Sequence, residues 1–180
     1  MKLPYEVVIN DSAGTYTGYS KIIFKVKGKE LSAIKSLDIR IEDDKYILEE
    51  IELISDNYEE EAPRKIKQVN TLDLQIGTKK MSFSGEFKTK ATMGLRSATG
   101  EVYLQKAIDP DSSLLFGALK QMGVADSLSF VKAAKEEARK AIEKKIKDSI
   151  AAANEAALAA AQPKPTPVPS VNNSTAYTQP

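Results

Sequence analysis

Residues 19–27 read YSKIIFKVK. In an extended chain Ile22, Phe24 and Val26 fall on one side, with Lys21, Lys25 and Lys27 alternating between them. Alternation of this kind marks a strand with one buried and one wet face. The same alternation continues outward. Residues 36–44, SLDIRIEDD, set Leu37, Ile39 and Ile41 against Asp38, Arg40 and Glu42. LDLQI gives Leu72, Leu74 and Ile76, MSFSGEF gives Met81, Phe83 and Phe87, and EVYLQ gives Val102 and Leu104. In YILEEIELI, residues 46–54, the isoleucines also sit at helical spacing, but a position between hairpins favours a strand. With the opening YEVVI, about seven strands precede residue 110.

The breaks are turn chemistry: Gly28, the pair Asp43 and Asp44, and Gly77. Pro63 keeps SDNYEEEAPRK out of a central strand. Short connections predict an antiparallel meander. Beyond Asp109 the period changes. SLLFGALKQMG predicts a short helix stopped by Gly123, and Asp126 or Ser127 is placed to cap a long one. Its apolar stripe runs through Leu128, Val131, Ala134, Ala138, Ile142, Ile146, Ile150, Ala153 and Ala157. A sheet with one apolar face needs a cover, so this helix is expected to pack on it from about Leu128 to Ile150. Ala151 to Ala161 would project as an arm of roughly 15 Å, and the proline-rich stretch from Pro163 lacks the apolar residues to order itself. The expected class is therefore α+β. A curled or barrel-like antiparallel domain spans 1–110, C-terminal helices span 111–162, and a disordered tail spans 163–180.

The composition excludes much chemistry. The chain of 180 residues has 26 Lys and Arg against 25 Asp and Glu, and no His, Cys or Trp. Without Cys there is no disulfide, no thiolate nucleophile and no thiolate metal site. Without His the commonest general base is missing. A non-catalytic protein without metal or cofactor is expected. A net charge of +1 argues against a nucleic-acid partner. No apolar run reaches the ~20 residues of a membrane helix. The N-terminus looks like a strand rather than a signal peptide, as in a cytoplasmic chain or a mature exported one lacking its signal peptide.

Two candidate sites stand out. Lys88, Lys90 and Arg96 surround Met93, Gly94 and Leu95 in a loop, a candidate mouth for an anion or ligand, although its glycines match no phosphate-binding spacing. Lys27, Lys29, Lys79 and Lys80 would extend a basic rim, though lysine at turns commonly guards sheet edges. On the long helix, Ala138, Ile142, Ile146, Ile150 and Ala153 form a narrow seam for a partner or a second copy. The acidic runs at Asp43 and Asp44, at Glu49 and Glu50, and at Glu59, Glu60 and Glu61 read as solvated turns and faces. Asp109 and Asp111 lack the further oxygens of a calcium loop. The expected function is a binding or assembly protein, of scaffold, envelope-associated or virion type, acting through sheet and helix. The alternative is a carrier of a hydrophobic or anionic amphiphile (a lipid, for instance) held between them.

Overall fold

The computed structural model describes residues 3–26, 28–59, 62–77, 80–90 and 96–161. Lys27, Lys79, Glu60, Glu61, the loop tip at Met93, Gly94 and Leu95, and the tail from Pro163 lie outside the described residues. Seven strands follow one another: β1 (Tyr5–Ser12), β2 (Thr15–Val26), β3 (Lys29–Glu42), β4 (Lys45–Asp56), β5 (Gln68–Ile76), β6 (Met81–Thr89) and β7 (Thr99–Gln105). Each pairs antiparallel with the next, in the order β1 to β7. YILEEIELI is strand, inside β4. Then come α1 (Leu114–Gln121) and α2 (Ser129–Ala161). The chain divides into two units, Met1–Lys135 and Glu136–Pro180. The first thus holds the sheet together with α1 and the opening turns of α2.

Local chemistry sets the hairpins. Ala13 and Gly14 join β1 to β2 with φ of 54° and 86°, and Asp43 and Asp44 join β3 to β4 with φ of 49° and 63°. Two successive positive φ values give the turn whose twist matches a strand pair, and aspartate tolerates that region better than most residues. The acidic pair therefore serves the turn.

The sheet is a curled half-barrel. Laid flat at the usual strand spacing, β1 would lie about 29 Å from β7. Instead the two are in contact, and one core draws on all seven strands. Leu37, Ile39, Leu48, Leu72 and Val102 are buried there, joined by Tyr5, Val7, Ile9, Tyr16, Tyr46, Phe83, Phe87 and Leu104. Two glycines permit the curl. A Cβ on Gly18 would fall on the Val8 carbonyl, and one on Gly85 would fall on the Thr71 carbonyl, with the Leu72 Cα at 3.0 Å. Register shifts on either side of Lys35 bend β3 against β4.

The helical cover lies on the other face. Val8 pairs with Tyr19, and Lys21 with Ile34. Val8, Tyr19 and Ile34 form a second core with Leu115, Phe116, Leu119, Ala125, Leu128 and Val131. This corrects the expected cover in two respects. The apolar inner face closes on itself, and helical packing on the outer face ends near Val131. Ile142, Ile146 and Ile150 are 58, 54 and 56% exposed.

The helix starts are tied to β1. Ser113 Oγ caps α1 by accepting from the Phe116 N–H at 3.0 Å. The Glu6 carboxylate accepts from the Leu115 N–H at 2.7 Å and from the Ser113 hydroxyl at 2.8 Å, a favourable place for an anion. α2 is capped by neither Asp126 nor Ser127. Its Ser129 N–H donates to Asn10 Oδ1 at 2.6 Å, a partner far away in sequence that no local pattern announces.

Because strand backbones occupy the space beside Gly85, Gly85→Val is expected to cost roughly 2–3 kcal/mol. Urea unfolding followed by far-ultraviolet circular dichroism should show a lower midpoint at unchanged slope.

Candidate functional site

The sequence did not announce the most heavily connected group of side chains. Ser20, Lys35, Glu50, Gln68 and Asn70, from β2, β3, β4 and β5, are buried on the inner face. The Glu50 carboxylate accepts from Lys35 Nζ at 2.8 Å, Ser20 Oγ at 3.1 Å and the Gln68 N–H at 3.0 Å. Lys35 also donates to the Ile66 carbonyl. Gln68 Nε2 donates to Asn70 Oδ1 at 2.7 Å, and Asn70 Nδ2 donates to the Tyr5 hydroxyl at 3.1 Å. Among the described residues no buried side-chain nitrogen or oxygen lacks a partner. Burial, reinforced by the Glu50 charge, raises the Tyr5 hydroxyl far above its ordinary pKa. Burial and the charges of Glu50 and Asp56 push Tyr58 up to about 12. A saturated, buried ion pair of this kind holds register; it offers no free group to a substrate. Its only sequence signal was two charges, Lys35 and Glu50, on faces otherwise apolar.

The candidate mouth sits elsewhere. Lys88 and Lys90 line a cleft of about 540 Å³ with Val69, Thr71, Glu86, Phe87 and Thr99. Lys90 Nζ donates to Glu49 Oε1, and Arg40 reaches Glu49 Oε2 at 3.1 Å. These two cations hold the Glu49 carboxyl below the usual carboxylate range. Lys90 is therefore partly neutralised, and Arg96 is exposed without belonging to the cleft lining.

The two outer edges of the sheet, on β1 and β7, border one groove of about 520 Å³. Tyr5, Val7, Ile9, Phe83, Leu104 and Phe116 are among its lining residues, and Phe116 packs on Phe130 at 5.7 Å between ring centroids. In the second unit, Ala138, Ile142, Ile146, Ile150 and Ala153 are all exposed. Among the described residues no acidic cluster is arranged to hold a metal ion, and no helix is long and apolar enough to cross a membrane.

Removing one partner of the buried pair should cost more at Glu50 than at Lys35. Glu50→Leu takes the acceptor from three donors and leaves a buried ammonium with only the Ile66 carbonyl, whereas Lys35→Met leaves that carbonyl unpaired and a carboxylate that keeps two donors, so about 3–5 kcal/mol against about 2–3 kcal/mol is expected in chemical denaturation. Tyr58 adds a pH dependence. Its folded pKa lies above the ordinary value of 10, so the folded state holds the proton more tightly and stability falls as pH rises from 10 towards 12. Tyr58→Phe should flatten that part of the stability profile in thermal melts. Comparison with protein-family models, with curated proteins and with solved structures found no match to this chain.

Proposed function

We propose that this is a non-catalytic binding or assembly protein that self-associates through the exposed face of α2. The carrying observation is the isoleucine stripe: Ile142, Ile146 and Ile150 leave more than half of their surface in water. From Ala138 the small and apolar positions recur as Ile142, Ile146, Ser149, Ala153 and Ala157. These steps repeat every 11 residues, the spacing that keeps one face of a helix in line with a neighbouring helix.

Charge favours a second copy over an anionic surface. From Glu136 to Ala161 the acids Glu136, Glu137, Glu143, Asp148 and Glu155 balance Arg139, Lys140, Lys144, Lys145 and Lys147. Several are already engaged along the helix, as in Arg139 with Glu136 at 3.3 Å and with Glu143 at 3.5 Å. A membrane-surface helix draws its affinity from a net basic face, which this segment lacks. Burying a whole isoleucine is worth about 2 kcal/mol, and these are half-buried already. The gain is comparable to the lower end of the ~4–15 kcal/mol association cost, so weak, concentration-dependent association is expected.

The carrier alternative has less to work with. Side chains fill both cores of the first unit, leaving the half-open groove beside β1 and β7 as the place for an amphiphile.

Sedimentation velocity over a concentration series tests the proposal. The full chain should gain mass with concentration, while Ile142→Ser, Ile146→Ser and Ile150→Ser combined should stay monomeric with unchanged strand circular dichroism. A full chain that remains monomeric up to hundreds of micromolar would remove the helix from this role.

A further inference from the structure

We infer that the seam between β1 and β7 is an acceptor for one extended segment of a partner protein, seated as an additional strand. The topology supplies the first reason. Seven strands in an antiparallel meander leave β1 and β7 running in the same direction. Joining them directly would take a parallel ladder, the less stable kind, and among the described residues no ladder joins them. A strand running opposite to both would pair antiparallel with each and complete an up-and-down barrel.

The phase of the hydrogen bonds supplies the second. The Ile23 N–H donates to the Pro4 carbonyl at 3.1 Å. With Glu6 opposite Lys21 and Val8 opposite Tyr19, alternation turns the backbone groups of Glu6, Val8 and Asn10 towards β2. Those of Tyr5, Val7 and Ile9 face the seam. At β7 the Thr89 N–H donates to the Ala98 carbonyl at 2.8 Å, and the Lys106 N–H to the Met81 carbonyl at 3.0 Å. Gly100, Val102 and Leu104 therefore point their backbone groups to β6, and Glu101, Tyr103 and Gln105 point theirs into the seam. Both rims present alternating donors and acceptors, the complement of a main chain.

The groove between the rims fixes the side chains of the occupant. Tyr5, Val7, Ile9 and Leu104 line it, so every second residue of the guest strand is apolar and enters the core. Main-chain pairing supplies affinity and the alternate pockets supply selectivity, as in other strand additions. An aliphatic chain would fill the groove and leave both rims unpaired. Where β1 and β7 now touch, seating the guest parts the rims to about 9.6 Å, twice the strand spacing.

The probe is a synthetic acetylated, amidated peptide, Lys-Val-Thr-Val-Thr-Val-Thr-Lys, titrated into the full chain with residue-resolved amide exchange as readout. The expected result is saturable binding with new protection at Val7, Ile9, Glu101 and Tyr103, and none beyond the existing protection at Val8 and Val102. Val7→Pro removes a seam donor and leaves the β1–β2 ladder intact, as proline at a strand edge does; it should weaken binding about tenfold. Tyr103→Pro tests the opposite rim should Val7→Pro fail to fold. The combined isoleucine variant of α2 should bind like the full chain, which separates this site from the self-association surface. Absence of binding, or equal affinity in both folded proline variants, overturns the inference. So does protection of the same amides without peptide that grows with protein concentration, which assigns the seam to a second copy. Dodecanoate occupying the groove while the peptide leaves the rim amides unprotected would likewise overturn it and assign an amphiphile site.

Discussion

The curl of the sheet rests on two places where neighbouring strands meet with no Cβ between them, Gly18 beside Val8 and Gly85 beside Thr71. From that constraint much of the first unit follows. A sheet that bends so sharply buries its apolar face against itself, so Leu37, Ile39, Leu48, Leu72 and Val102 form a core without any helix. The outer face of β1, β2 and β3 is then the one left to α1 and the first turns of α2, and a smaller patch of Val8, Tyr19 and Ile34 suffices. The same bend brings β1 beside β7, making neighbours of two edges that a flat sheet would hold far apart.

Inside the curl, the Glu50 carboxylate solves a problem that the bulges create. Register shifts around Lys35 interrupt the ladder between β3 and β4, and beside them polar groups of β2, β3, β4 and β5 are buried on the inner face. One carboxylate accepting from Lys35, Ser20 and the Gln68 N–H satisfies three of them. Desolvating this pair is expensive, and an apolar pair of equal shape would often be as stable. The cluster therefore contributes most by excluding other registers, since any slip by one residue would strand a charge in the core.

The outward-facing features divide by physical type. The helix face of Ile142, Ile146 and Ile150 is apolar and bordered by balanced charge, whereas the two end strands of the sheet border a largely apolar groove. The first suits association by side-chain packing, the second by main-chain pairing. The basic cluster near the loop after β6 is weaker than its composition suggests, because Glu49 already engages Lys90 and Arg40. The buried ion pair of Lys35 and Glu50, by contrast, is saturated by its own neighbours.

Sequence periodicity by itself determined the strands, their antiparallel succession, α1 with its Gly123 stop, and the amphipathic stripe of α2. These depend on alternation and turn chemistry, which are local and survive in any context. Ala138, Ile142, Ile146, Ile150 and Ala153 were legible as one face of that helix for the same reason. Tertiary structure alone decided which face each helix meets, that Asn10 rather than Asp126 or Ser127 caps α2, and that Lys35 and Glu50 meet. It also set Lys88 and Lys90 in an outer cleft and made one groove of β1 and β7. Each of these joins residues on different elements, and the groove of β1 and β7 depends on the curl. The curl arises from backbone approach at two glycines and a pair of bulges, and neither leaves a periodic trace in the sequence.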